Sequence, residues 1–383
     1  MPLDYLIVGL KGVLSGIASI SESFRTSILA RQKLDLAGAL ISPLLALLTV
    51  VFLSLWARRW VIREGEARSQ RPWLAAAPGL LFAISPILVH GTILGRPDHQ
   101  SLVLFLVAVA MGLEWVLADR RSAKWAVAAG LAWGFALWVS AYEPLILLVG
   151  LMGLQWIEHR LPARWFSQPP ATEELRATAA PADTVVDALT KTPAGSSSWW
   201  TPGRLKWAAL GGVLLVGLLV ERWHFQLLDD SLQQYFARWA TSIGELRHLD
   251  PTKPILYQWL GFGCVLSPVL LFLAARHDRR AVSVLGMLLL TFALTCWQIR
   301  WGYFLALVFA MSLPWQLSVA RWRWLAWLLL ILSLWPTWKK WDDQLFPSTP
   351  EQKQLALRRV ELQQLRQVAV TMRSEETQPF IAP

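Results

Sequence analysis

The sequence predicts an all-α fold, a polytopic transmembrane helix bundle with a short helical extramembrane tail, and three observations carry that prediction. Hydrophobic residues fill 55% of the 383 positions and charged residues only 16%, whereas about a quarter of a soluble domain is charged. The apolar residues come in long unbroken runs rather than at the spacing of a half-buried surface helix. Basic residues gather in alternate connections between those runs, the pattern that orients membrane helices.

Apolar stretches lie at 36–57, 73–95, 101–118, 125–140, 144–157, 207–220, 255–275, 281–298, 303–320 and 324–336. A helix needs about 20 residues to cross the hydrocarbon core, so the shorter runs must draw on flanking Trp and Arg or sit in tight hairpins. About ten transmembrane helices follow. Pro43, Pro78, Pro86 and Pro268 fall inside these runs, which is compatible with helix because neighbouring helices can satisfy the freed carbonyls.

The short connections fix an orientation. Arg58, Arg59, Arg63, Arg68 and Arg71 lie in 58–72, Arg120, Arg121 and Lys124 in 119–124, Arg276, Arg279 and Arg280 in 276–280, and Arg321 and Arg323 in 321–323. The intervening turns at 96–100, 141–143 and 299–302 hold only Arg96 and Arg300. The positive-inside rule therefore puts the GRPDHQ turn on the outer side. Lys339 and Lys340, after the last run, go against this scheme.

That topology also accounts for the net charge of +10, which in a soluble protein would point to nucleic acid. No basic, aromatic-studded soluble module is present, so nucleic acid is excluded as a partner. Cys264 and Cys296 both lie within apolar runs and form neither a disulfide framework nor a zinc pattern.

The chain then divides into an outer-face interfacial segment at 1–35, a first transmembrane group at 36–157, a flexible cytoplasmic linker at 158–205, a second group at 206–336, and an outer-face helical tail at 337–383. The linker is rich in Ala, Pro, Thr and Ser without an apolar period, as mobile segments are. Within the second group the outer loop 221–254 carries Trp223, Phe225, Tyr235, Phe236 and Trp239, which suits a helix lying along the interface. In the tail, Thr349-Pro350-Glu351-Gln352 has the form of a capping box, and Leu362, Leu365, Val368 and Met372 give one apolar face.

The outer side collects the ionisable groups. Arg96, Asp98, His99 and Gln100 come from the first turn, Tyr142 and Glu143 from the second, Glu245 from the long loop, and Arg300 and Tyr303 from "QIRWGYF". Carboxylates there suit Mg²⁺ or Mn²⁺, which take hard oxygen ligands, with lipid phosphate completing the shell. Arginines suit bidentate contact with phosphate. A single charge at a helix end ordinarily serves topology or snorkels, but an acid and an imidazole between two apolar helices have little topological use. Glu114, near the inner end of its run, reads as a snorkelling structural residue, and His90 as hydrogen-bonded within the bundle.

The stretch "GRPDHQSL" resembles the second acidic motif of the GT-C membrane glycosyltransferases, in particular the oligosaccharyltransferase catalytic subunits and their bacterial relatives, where Asp-x-Glu or Asp-x-His stands on an outer loop. "ALWVSAYEPLILL", "RWATSIGELRHL" and "QIRWGYFLAL" fall where that family carries its other outer segments. The resemblance spans roughly residues 1–340. It implies a GT-C-like enzyme on the outer face of the bacterial inner (plasma) membrane. Such an enzyme transfers a sugar or oligosaccharide from a polyprenyl-phosphate or -pyrophosphate carrier to a protein or glycan acceptor. It further implies Asp98 as catalytic metal ligand with His99 or Gln100, Glu245 as metal or acceptor contact, Arg300 as phosphate clamp with Arg96 and Tyr303 beside it, and Glu143 and Tyr142 as secondary site residues. The ion would be Mn²⁺ or Mg²⁺.

Two departures qualify the match. Gln100 stands where the family has its second metal ligand, and an amide is a poorer ligand than His or Glu. The family's first acidic loop follows an initial transmembrane helix, and no such run precedes residue 36, so the expectation is a chain truncated at both ends and inactive as it stands. The competing classes are a transporter or flippase of a lipid-linked or anionic substrate, and an inactive fragment. A transporter places ionisable residues near mid-membrane, whereas those here cluster at helix ends.

Overall fold

The computed structural model describes residues 2–20, 33–58, 72–93, 99–162, 201–221, 247–319 and 323–350, with positions 353, 354 and 357. Among them every regular element is helical: α1 (Pro2–Ile20), α2 (Lys33–Trp56), α3 (Pro72–Ile84), α4 (Pro86–Gly91), α5 (His99–Arg120), α6 (Ala123–Val139), α7 (Tyr142–Arg160), α8 (Pro202–Val220), α9 (Ile255–Leu260), α10 (Gly263–Ala275), α11 (Arg280–Trp297), a 3₁₀ turn (Ile299–Trp301), α12 (Gly302–Ser318), α13 (Arg323–Ser333) and α14 (Trp335–Leu345). Each of the ten apolar stretches is helical in its described residues. Four helices, α2, α5, α8 and α11, are long and apolar enough to cross a membrane unaided.

Three of the ten stretches are broken, one of them at Leu334 between α13 and α14, and the sequence explains the other two. Pro86 has no N–H to give and its ring excludes helical backbone before it; Ser85 turns extended and donates its hydroxyl to the Trp259 carbonyl at 2.8 Å. Between α9 and α10, Gly261 takes φ +73°, open to glycine at no steric cost, and a Cβ there would lie 2.5 Å from the Ser333 carbonyl oxygen. The next residue, Phe262, donates its N–H to that same oxygen at 2.7 Å. Pro43, Pro78, Pro268 and Pro314 sit within continuous helices.

Helix α12 is the centre of the bundle, with every residue from Gly302 to Leu317 buried. At its far end Trp315 meets Trp56 and Trp115, ring centroids 5.7–5.9 Å apart, and donates its indole N–H to Asp278 at 3.0 Å. Burial pushes the Asp278 carboxyl up, but hydrogen bonds and charge from Arg280, 2.8 Å away, together with Trp315, outweigh it and hold the group below the usual carboxylate range. With the native pKa lowered, this stabilisation is whole above the unfolded pKa and is lost as pH falls through the native one. Beside it Arg279 donates to the terminal carbonyls of α7, at Glu158 and Leu161.

The perimeter is also apolar: Leu47, Leu48, Val149, Leu215, Val265 and Leu266 are exposed. This is the pattern of a body solvated by lipid, where helices associate through close packing and polar contacts rather than through water exclusion. Glycines serve that packing in α6, where a Cβ at Gly130 would lie 2.2 Å from the Lys206 carbonyl of α8.

Glu114 departs from the expected snorkelling role. It is 3% exposed, and its Oε1 accepts from Lys206 Nζ at 2.7 Å across α5 and α8. Lys206 is one turn from the start of its helix, so the pair joins the apolar run that holds Glu114 to the edge of the run at 207–220, near the Arg-rich end. Leaving one charge of a buried pair uncompensated costs about 3–5 kcal/mol. Lys206→Met alone should therefore lower the midpoint of thermal unfolding in detergent sharply, and adding Glu114→Gln should recover most of the loss; equal damage from the single and double variants would refute the pairing.

Topology is open to labelling. Ser101 is buried and hydrogen-bonded to Ser42 at 3.1 Å, so the exposed positions His99 and Lys124 are the ones to use. In a chain cleared of Cys264 and Cys296, a cysteine at the exposed His99 of the outer turn (His99→Cys) should react with an impermeant thiol reagent from outside and Lys124→Cys should not. The reverse labelling would invert the orientation.

Candidate functional site

Three of the four nominated outer segments meet at one end of the bundle. The start of α5 brings His99 and Gln100, the start of α7 brings Tyr142 and Glu143, and the 3₁₀ turn leading into α12 brings Arg300 and Tyr303. Arg96, Asp98 and Glu245 lie outside the described residues, as do the linker at 163–200 and the loop at 222–246.

Arg300 is the hub. Its Nη2 forms an ion pair with Glu143, whose side chain is 1% exposed while that of Arg300 is 24% exposed. Glu143 accepts in addition from the Ser140 hydroxyl, three residues before it. The amide orientation of Gln100 that satisfies its surroundings turns its oxygen to the guanidinium, 3.2 Å from Nε and 3.0 Å from Nη2. Among the described residues Nη1 has no partner. The guanidinium is thus fixed on one edge by a buried carboxylate and an amide, leaving two N–H donors on the other edge for an anion.

Around this hub the aromatic groups set the walls. Tyr142 packs on Trp301 with centroids 5.7 Å apart. Tyr303, 4% exposed, hydrogen-bonds through its hydroxyl to His90 Nδ1 at 3.1 Å, as the bundle role expected for His90 requires. The Arg300 turn is seated by its neighbours: a Cβ at Gly302 would meet Trp259 at 2.5 Å and Ile87 at 2.8 Å. On the chain side of the long loop, the Arg247 carbonyl accepts from Ile299 N–H at 2.9 Å and Leu249 N–H donates to the Cys296 carbonyl at 3.2 Å. Asp250 closes this segment with a turn, accepting from the Thr252 hydroxyl at 2.6 Å and N–H at 3.0 Å, which holds its carboxyl below the usual range.

His99 is exposed and Gln100 buried at the first turn of α5. Among the described residues no three His, Cys, Asp or Glu side chains converge as a metal shell would require. A shell would depend on Asp98 and Glu245, and Gln100 would join it only with the oxygen that it turns to Arg300. Sequence reasoning missed the Gln100–Arg300 contact and the part of Ser140. A buried carboxylate beside an arginine turn was the available signal, since an acid opening an apolar helix needs a cationic partner.

The cluster predicts an energetic coupling. In a double-variant cycle of Glu143→Gln and Arg300→Gln, read by thermal unfolding in detergent, the two changes should couple by about 1–3 kcal/mol. Additive losses would mean that the ion pair contributes nothing to holding the guanidinium.

No protein-family model matches the chain, and no curated protein matches it. Solved structures of the oligosaccharyltransferase of Archaeoglobus fulgidus are similar to it. One, tethered by a disulfide bond to an acceptor peptide containing the NVT sequon, shares 18% identity at TM-score 0.49 over 87% of this chain and 46% of its own. A second, AglB in complex with an inhibitory peptide and a dolichol-phosphate, shares 17% at TM-score 0.45 over 86% and 46%. A third, in complex with Zn and sulfate, shares 19% at TM-score 0.44 over 86% and 43%. The chain spans less than half the length of these proteins, and the roles of its residues rest on the geometry above.

Proposed function

We propose that the chain is the membrane part of a GT-C-type glycosyltransferase. It would move a sugar or oligosaccharide from a polyprenyl-phosphate or -pyrophosphate carrier to a protein or glycan acceptor, on the outer face of the bacterial inner (plasma) membrane. The observation that carries this reading is the Glu143–Arg300–Gln100 cluster. It is an arginine pre-oriented at one end of the helix bundle, with donors left over for an anion, at the end where His99 and Gln100 of the GRPDHQ motif open α5.

In this reading Arg300 takes the carrier phosphate through its unused edge, with Tyr303 and Arg96 as further donors. Asp98 directly precedes His99 in the chain, and in this reading it supplies the metal-binding carboxylate. Glu245 is two residues from Arg247 in the chain, and in this reading it holds the acceptor or an ion. A Mn²⁺ or Mg²⁺ held by Asp98 with Glu245 and His99 would screen charge on the phosphate leaving group. Tyr142 and Glu143 act through Arg300, as wall and as counter-ion.

A transporter of the same lipid-linked substrate would need ionisable groups near mid-membrane, and the buried Glu114–Lys206 pair lies near the inner helix ends instead. The deciding assay is transfer of a labelled lipid-linked sugar in membranes, with the metal titrated from zero. Asp98→Asn in the full-length gene product should lower turnover at least about a hundredfold, equivalent to about 2.7 kcal/mol or more, with insertion unchanged. Arg300→Lys should raise the KM for donor because the planar fork is lost, while Gln100→Glu should hold or raise activity at low metal. Full activity of Asp98→Asn would sink the assignment.

A further inference from the structure

Helix α14 was the one element at odds with the charge rule, since Lys339 and Lys340 follow the last crossing on the side assigned to be outside. From Arg323, at the Arg-rich end of α13, to Lys339 is sixteen residues, or at most about 24 Å of helix, against a hydrocarbon core of about 30 Å. A lysine stem extends further toward the headgroups of the opposite leaflet. Trp335, 65% exposed, stands one turn below Lys339 and Trp338, 47% exposed, directly precedes it, where indoles sit in the interface. The exposed face of α13 below them is Leu328, Leu329, Ile331 and Leu332, so the apolar surface runs without a break from lipid tails to α14.

Between α14 and the end of α3 lies a cavity of about 690 Å³, lined by Ile84, Trp335, Trp338 and Trp341 and by two charged groups, Lys339 and Asp342. The cavity is held open from behind: Trp341 donates its indole N–H to the Ile84 carbonyl at 2.7 Å, and Thr337 its hydroxyl to the Gln258 carbonyl at 3.0 Å. Lys339 and Asp342, three apart on the helix and so on one face, form no ion pair among the described residues. One cation and one carboxylate beside an indole wall at the membrane surface are complementary to a zwitterionic amino headgroup.

We propose that this groove is a binding site for phosphatidylethanolamine of the leaflet at the GRPDHQ end. Lys339 takes the lipid phosphate, Asp342 accepts N–H donors from the ethanolammonium, and the indoles line the glycerol and upper acyl chain. An anionic head without an amine could pair with Lys339 but would leave Asp342 without a donor, beside a like charge. The proposal needs the membrane reading of the fold but not the transfer reaction, so it stands or falls separately from the glycosyltransferase assignment.

The test is native mass spectrometry of the full chain released from detergent after exchange into phosphatidylethanolamine, phosphatidylglycerol or phosphatidylcholine with the same acyl chains. One phosphatidylethanolamine should stay bound at least about threefold more often than phosphatidylglycerol. Asp342→Asn should erase that preference without lowering phosphatidylglycerol retention, and Lys339→Gln should lower retention of both. Both residues are exposed, and an unchanged thermal midpoint would show that the variants fold. Equal retention of the two lipids by the unaltered chain, retention untouched by either variant, or displacement of the lipid by undecaprenyl phosphate would each overturn the assignment.

Discussion

A helix broken inside a bilayer exposes peptide groups that no water can reach, and each costs several kcal/mol until another part of the protein satisfies it. This chain breaks three times, at Ser85–Pro86, at Gly261 and at Leu334, and the three breaks satisfy one another. Ser85 donates to the Trp259 carbonyl, Phe262 to the Ser333 carbonyl, Thr337 to the Gln258 carbonyl and Trp341 to the Ile84 carbonyl. Removing any one break would strand a donor or acceptor in another. The knot joins segments more than 250 residues apart in sequence, and it fixes α4, α9 and α14 relative to the core helix α12.

The candidate site hangs from that knot. Helix α4 leads into the GRPDHQ turn, and the Arg300 turn is wedged at Gly302 between Ile87 of α4 and Trp259 of α9. The guanidinium therefore inherits its position from backbone contacts that cannot relax independently. Its charge is handled by the same logic: a buried carboxylate at Glu143 cancels part of the field that would bind an anion, but without it an arginine at a lipid-facing helix end would turn to headgroups. The arrangement exchanges some attraction for a fixed direction, the property that a phosphate clamp requires.

The helices were legible because membrane crossing imposes length and composition locally, and ten apolar runs cannot be written any other way. Gln298-Ile299-Arg300 and Tyr142-Glu143 were legible as site segments for the same reason, since ionisable residues are scarce enough here to stand out. What the sequence withheld depends on pairings across long separations. Gln100 gives no sign in sequence that it faces Arg300 rather than a metal. Glu114 and Lys206 are 92 residues apart, and nothing local to either marks the other as its partner. Pro86 sits in its run like Pro43, Pro78 and Pro268, which stay within continuous helices, so the sequence does not single out its break or show that the break at Gly261 carries its partner.

The connection 163–200 divides the chain into two helix groups by sequence, yet the packing does not follow that division. Helix α8, the first after it, returns to lie on α6 through Gly130, Gly134 and Gly217 and is tied to α5 by the Lys206–Glu114 pair. Helix α11 then packs against α7, where Gly150 and Gly286 let Leu290 and Leu154 approach, and Arg279 caps the end of α7. The Arg300 cluster draws Gln100 and Glu143 from before the connection and its arginine from after it. A phosphate clamp assembled in this way exists only when both halves are docked, so loss of the docking contacts at the far end, around Arg279 and Asp278, should reach the site through α7 and α11 as rigid levers rather than through any change at the arginine itself.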